Sequence, residues 1–256
     1  MASRPGARVE LTDTGYLGGR VTIRQPRKGY RAGVDPVLLA ASVPARAGQS
    51  VLELGCGVGT ASMCLGWRVQ GLRLTGVERQ ADHAALAQQN SELNGIAMDV
   101  VTADLADLPG DLRARGFDHV IANPPYFDRA ASTPSEGAAR EAAMGEDTPL
   151  DTWVRVAAAR LAPKGYASFI HRAERLPDLL AAFSGRLGSV QVLPLSARRG
   201  RDPGLVLVRA RKGGRAAFRL HAPIVMHEGD VHLRDQDDYS ALIGDVLREG
   251  SPIPFP

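Results

Sequence analysis

The chemistry-bearing residues of this chain cluster at four places. The first is "VIANPPYF", residues 120–127. An apolar strand here ends in Asn123, Pro124, Pro125, Tyr126 and Phe127. The prolines stop the strand, because neither donates a ladder hydrogen bond and each fixes its own backbone angle. What remains is a rigid corner carrying an amide and two rings, a platform suited to a flat polar molecule. An ordinary strand-to-loop turn, for which Asn-Pro is a common opening, fits the same residues.

The second place is "ELGCGVG", residues 53–59, a glycine turn between a strand and a helix. Such a turn lets the backbone approach a ligand closely and aims amide groups at it. Thr60 stands where a dinucleotide fingerprint would have its third glycine, so the loop fits pyrophosphate binding poorly. Third and fourth are acids at strand ends. Glu78 follows "LRLTGV", where a carboxylate can accept hydrogen bonds from ribose hydroxyls, and Asp104 follows "MDVVTA", placed to meet an adenine amino group. Taken singly, each acid also reads as a strand-end cap. Three such ends followed by Asn-Pro-Pro-Tyr on a fourth form a set.

The elements that must position this set alternate along the chain. "SVLEL" (50–54), residues 72–78, "MDVVTAD" and "FDHVIAN" read as strands, and helical spacing follows in "VGTASMCLGWRV" and in residues 81–95, which end at a glycine. "PLDTWVRVAAARLAPKG" (149–165) reads as a helix between a proline and a glycine. Strand "YASFIH", helix "AERLPDLLAAFSGRLG", and strands "SVQVLPL" and 204–212 follow. This order predicts an α/β fold with a mostly parallel sheet and helices on both faces. In such sheets ligands sit at the carboxyl ends of strands, near the point where strand order reverses.

Composition bounds the function. With 256 residues, 44% hydrophobic and 23% charged, the chain is expected to be globular, soluble and cytoplasmic. No apolar run reaches the ~18 residues that span a bilayer, and the first residues lack the apolar centre of a secretory signal. Two cysteines, Cys56 and Cys64, do not make a disulfide scaffold or a metal site. "HEGDVH" imitates a zinc motif, but His227 and His232 are one residue too far apart and Gly229 interrupts them, so no metal is expected. The net charge of +3 is unevenly placed. Between Arg186 and Arg219 nine basic residues face one acid, Asp202, and seven basic residues lie between Met1 and Arg31. If the two stretches meet they form a footprint for a polyanion; solvated arginines are the plainer reading.

Taken in order, the glycine loop, the two acids and "NPPY" resemble the class I S-adenosylmethionine-dependent methyltransferases, in their amino-methylating branch. That resemblance implies a Rossmann-like, seven-stranded sheet. With "KGYRAGVDPVLLAA" (28–41) and "KGGRAAFRLHAPIVMHEGD" near the end, the chain looks like the bacterial enzymes that methylate the exocyclic amine of an adenosine beside the anticodon of valine tRNA. An adenine amine is a poor nucleophile because its lone pair is delocalised. The Asn123 amide oxygen and the Pro124 carbonyl would each accept one amino hydrogen and turn the lone pair outward. Pro124 and Pro125 hold that carbonyl still, and Tyr126 stacks the unstacked base, an interaction worth about 1–3 kcal/mol.

The resemblance also implies a binding role for each cofactor residue. Gly55, Cys56 and Gly57 would pass the methionine moiety, with Glu53 reaching its ammonium directly or through water. Glu78, with Arg79 beside it, would hold the ribose, Asp104 and Leu105 the cofactor adenine, and Arg31, Gly33 and Asp35 would close over the methionine end. RNA contacts are expected at Lys28, Arg140, Arg198, Arg199 and Arg201, the second of these in a long polar loop between Asp128 and Pro149 that reads as a lid. Residues 1–48 form a basic segment with the closing motif, 49–225 the methyltransferase domain, and 226–256 a tail packed on it. Competing readings are a glutamine methyltransferase of release factors, a guanine amino-methyltransferase of ribosomal RNA, and a non-catalytic RNA-binding protein on this fold. The first usually carries a helical domain ahead of the glycine loop, and loss of Asn123 or a cofactor acid would mark the last.

Overall fold

The computed structural model describes residues 10–28, 31–126, 148–229 and 238–255. Its centre is β3 (Ser50–Leu54), flanked by β4 (Arg73–Glu78) and β6 (Phe117–Ala122). The sheet runs β5 (Met98–Thr102), β4, β3, β6, β7 (Leu161–Arg172), β9 (Pro203–Arg211), β8 (Gly188–Ser196). Only β9 among these seven is antiparallel to its neighbours. Two-residue strands β10 (Arg219–Leu220) and β11 (Ile224–Val225) extend the β8 edge. The chain leaves β3 toward β4 and β5, then returns to β6 on the other side. That reversal opens a crevice beside the carboxyl end of β3.

Alternation along the strands divides the core between the two faces. Val51 and Ile121 pack with α1 (Asp35–Ser42), α2 (Thr60–Arg68) and α3 (Ala81–Asn94). Leu52, Leu54 and Val120 pack with α4 (Gly110–Ala114), α5 (Leu150–Arg160) and α6 (Leu176–Phe183). The expected helix over 149–165 is shorter: it stops at Arg160, and Leu161 is already extended at ψ 135. Pro163 explains the stop, since a proline pushes the residue before it out of the helical region.

Two elements carried no clear sequence signal. The basic amino-terminal stretch is a hairpin of β1 (Leu11–Tyr16) and β2 (Val21–Pro26), and the tail holds helix α7 (Ala241–Glu249). Both join the first core: Leu17, Val21 and Ile23 from the hairpin, and Ile243, Val246 and Ile253 from the tail. The free edge of β2 is closed by side chains. Asn94 exchanges two hydrogen bonds with the backbone of Thr22, both 2.8 Å, and Asn90 does the same for Arg24.

Candidate active site

Four strand ends build the site. After β3, Gly55 and Gly57 take left-handed conformations at φ 59 and 54. A β-carbon on Gly55 would lie 2.3 Å from Cη2 of Trp153, whereas one on Gly57 would meet no heavy atom within 4 Å. Glycine is therefore required for packing at the first position and leaves open space at the second. Cys56 between them is buried, and its thiol is pushed well up by that burial.

Glu78 at the end of β4 lies against this loop. Its Oε2 accepts the Gly57 N–H at 2.9 Å and its Oε1 the Gln80 N–H at 2.8 Å. Each oxygen keeps a lone pair for a further donor. Arg79 beside it is exposed. Asp104, after β5, accepts the Ala106 N–H at 2.8 Å and so starts a short 3-10 turn in which Leu105 is buried. Glu53 lies deeper, 4% exposed, accepting from the backbone N–H and hydroxyl of Ser62 on α2. Burial pushes its carboxyl up to about 7.

Asn123 follows β6. Its Oδ1 is buried and has no hydrogen-bond partner within the protein. A buried acceptor left unpaired costs about 1–3 kcal/mol, so this oxygen marks a place where a donor from outside fits. Pro124 is buried and Pro125 half-buried behind it. Tyr126 donates its hydroxyl to Oδ2 of Asp35, the first residue of α1, and its ring lies 5.3 Å from that of His171. Asp35, expected near the cofactor, thus touches the platform, and burial raises its carboxyl pKa.

The hairpin supports the segment that carries Asp35. Tyr16 donates to the Ala32 carbonyl at 2.6 Å, Gln25 accepts the Ala32 N–H at 3.0 Å, and Arg31 donates to Thr14 at 3.1 Å. Gly33 is exposed between them. The structure therefore brings together Asp35, Gly55, Gly57, Glu78 and Asn123–Tyr126 at the carboxyl end of the sheet.

The expected RNA contacts separate. Arg199 and Arg201 are exposed in the turn after β8, which ends at the same carboxyl end of the sheet, because two antiparallel steps from β7 restore its direction. Arg198 is 8% exposed and engaged internally, with Asp238 and with the carbonyls of Glu228 and Gly229, so its cation is held inside the fold. Lys28 is exposed on the hairpin's far end. Arg140, Phe127, His232 and the proposed lid lie outside the described residues. His227 stacks on Tyr239 at 4.7 Å and bonds Asp238 at 2.6 Å. Sequence reasoning missed Trp153, Ser62, Asn90 and His171; only the spacing of Asn90 and Asn94, one helical turn apart, offered a signal.

The residues fit the implied cofactor. S-adenosylmethionine needs an open glycine turn and a carboxylate beside it with spare lone pairs, and the amine it methylates needs a free acceptor. Gly57, Glu78 and the unpartnered Asn123 oxygen supply these. Among the described residues no helix is long and apolar enough to cross a membrane, and no cluster of three His, Cys, Asp or Glu could hold a metal.

Comparison with known proteins agrees. Residues 32–142 match the methyltransferase small domain family. A protein of Shewanella halifaxensis named tRNA1(Val) (adenine(37)-N6)-methyltransferase is 32% identical over 161 residues, 62% of this chain and 64% of that relative's length. A like-named protein of Dickeya chrysanthemi is 26% identical over 93% of this chain and 94% of its own. Among solved structures, one from Agrobacterium tumefaciens described as a predicted O-methyltransferase has TM-score 0.70 and 26% identity, covering 86% of this chain and 98% of its own. The Thermus thermophilus 16S rRNA N2 G1207 methyltransferase, solved with AdoMet and guanosine, shares the fold at TM-score 0.55 and 21% identity, covering 79% of this chain and 50% of its own. Residues 32–142 are thus similar to the methyltransferase small domain, and the chain has the class I methyltransferase fold of these solved structures.

Proposed function

We propose that this protein transfers a methyl group from S-adenosylmethionine to the exocyclic amine of an adenosine in RNA, with a tRNA anticodon-loop adenosine of the valine type as substrate. The observation that carries the reading is the buried, unpartnered Oδ1 of Asn123 after β6, at the same carboxyl end of the sheet as the glycine loop after β3. The names of the tRNA-modifying relatives support the choice of substrate.

Bound S-adenosylmethionine supplies a methyl group activated by its sulfonium. The chain's part is alignment. Glu78 would accept the ribose hydroxyls while it keeps the glycine loop in place through the Gly57 N–H, and Asp104 with Leu105 would border the adenine. Asn123 and the Pro124 carbonyl would accept the two amino hydrogens and so turn the nitrogen lone pair out of the ring's conjugation. That nitrogen would take the methyl group from the sulfonium, and the methylated amine would release one proton to solvent. No general base is needed before transfer, because the amine attacks while neutral. Arg199 and Arg201 lie at the same end of the sheet and meet the RNA backbone there, in the cytoplasm.

Labelled S-adenosylmethionine, offered with unmethylated bulk tRNA, ribosomal RNA and release factor, tests the reading by mass spectrometry of the digests. N(6)-methyladenosine in one tRNA is the expected product. Label confined to release factor, or to guanine in ribosomal RNA, would replace the adenine with another amine. Asn123→Ala is expected to lower transfer by about 100-fold or more while leaving S-adenosylhomocysteine affinity within about twofold.

A further inference from the structure

Beside the platform lies a buried histidine that the mechanism above does not use. His171 is 0% exposed on β7, two residues beyond Phe169, the partner of Ala122 in the sheet, which places it next to the proline corner. Its Nδ1 accepts the backbone N–H of Arg172 at 2.9 Å, so that hydrogen bond assigns the proton of the neutral ring to Nε2. Nε2 is buried and has no hydrogen-bond partner. Burial, with Arg175 nearby, holds the ring's pKa down to about 4, so the imidazole is uncharged in neutral solution.

Its aromatic neighbour is Tyr126, with ring centroids 5.3 Å apart and planes tilted by 58°. Aromatic pairs at this separation contribute about 0.5–1.5 kcal/mol beyond their burial. The other end of Tyr126 is fixed as well, through its hydroxyl on Asp35. A fully buried N–H facing no oxygen lowers stability, and such groups in a native fold call for a functional explanation. Holding a neighbouring ring in one pose is such an explanation.

We propose that His171 is a positioning residue: with Asp35 it clamps Tyr126 from two sides, ring and hydroxyl, so that the stacking face is set before the target arrives. The clamp has a second consequence. Asp35 belongs to the segment expected to close over the cofactor, so its bond to Tyr126 ties the platform to that segment. What stacks on Tyr126 rests on the proposed function; the clamp itself does not.

Two measurements test it. In protein labelled with fluorotyrosine, the Tyr126 resonance is assigned by its loss in Tyr126→Phe. It is expected as one narrow fluorine line that shifts or broadens in His171→Leu and in Asp35→Ala, and an unchanged line in His171→Leu overturns the clamp whatever the enzyme does. In steady-state kinetics, His171→Leu is expected to raise KM for the RNA or lower kcat by about tenfold, with S-adenosylhomocysteine affinity within about twofold. The same substitution should cost nothing further in a Tyr126→Ala background, and additive losses overturn the proposal. If His171→Leu does not fold, His171→Gln is read in the same way. A wild-type protein that methylates no RNA removes the amine-acceptor reading, and the fluorine spectrum still decides the clamp.

Discussion

The side-chain amide of Asn90 donates to the carbonyl of Val58 at 2.9 Å, so a residue on α3 holds the glycine loop from behind. The same amide bonds the Arg24 carbonyl at 3.0 Å, and its oxygen accepts the Arg24 N–H at 2.8 Å. Asn90 is fully buried and ties hairpin, helix and loop together. Asn94, one turn on, bonds the hairpin and its own helix but not the loop.

The two asparagines should therefore separate by their effect on the cofactor. Asn90→Ala leaves three backbone groups short of a partner, and each buried one costs about 1–3 kcal/mol. Urea unfolding should show a large loss of stability, and calorimetric titration a weaker affinity for S-adenosylhomocysteine. Asn94→Ala should lower stability and leave that affinity unchanged. Equal effects of the two on affinity would mean that the Val58 bond does not shape the loop.

Gly55 and Gly57 share a left-handed backbone but differ in what surrounds them. Gly55→Ala drives a methyl into Trp153, whose ring is itself buried and bonded through Nε1 to the Thr148 carbonyl at 3.2 Å. It should fold poorly or not at all. Gly57→Ala meets open space, so its cost is that of a left-handed alanine, about 1–2 kcal/mol. The variant should remain folded by circular dichroism and lose affinity for S-adenosylhomocysteine, because the new methyl stands where a ligand approaches. Undiminished affinity would move the cofactor off this turn.

The parts of the site most legible in the sequence are those built from consecutive residues. β3 was readable because "SVLEL" is short, apolar and followed by glycines; α3 because Gly95 caps it in the left-handed region at φ 62. "NPPY" was readable because prolines and an amide at a strand end have few uses. What escaped depends on contacts far apart in the chain. The hairpin's edge is completed by Asn90 and Asn94, and nothing local in "VTIRQP" announces partners 66 and 72 residues away. Arg198 looked like its neighbours in "SARRGRD" until Asp238 and two carbonyls enclosed it. His171 lies in an ordinary apolar strand, and its tautomer is set only by the fold.

Glu53 gives a pH dependence with a definite sign. Its carboxyl is raised from 4.5 to about 7, so the native state holds a proton that the unfolded chain releases. The resulting stability is fully present below about pH 4.5 and is lost as pH rises to about 7, a change on the order of 3 kcal/mol. His119 and His171, both held down to about 4 chiefly by burial, act the other way. Their contribution is present above about pH 6.5 and is lost as the pH falls toward 4. Urea midpoints of wild type and Glu53→Gln between pH 4.5 and 8 separate the two. The glutamine variant should gain on wild type as pH rises, and parallel curves would show that Glu53 titrates normally.

Arg199 and Arg201 make the test of the RNA face. Both are exposed in the turn after β8, whereas Arg198 is spent on Asp238 inside the fold, so replacing all three would confound contact with stability. Arg199→Gln with Arg201→Gln removes only solvent-facing charge. If both arginines meet phosphates, tRNA affinity falls and the logarithmic salt dependence of binding becomes shallower by roughly two phosphates' worth, about 1.4–1.8 in slope. Melting temperature and S-adenosylhomocysteine affinity should be unchanged, since neither side chain supports the core or the glycine loop. Arg198→Gln should do the opposite: it removes the cation held by Asp238 and the Glu228 and Gly229 carbonyls, lowers the melting temperature, and changes the salt slope by less than the exposed pair. An unaltered slope in the double variant would place the backbone contacts elsewhere on the molecule, with the exposed Lys28 the next position to replace.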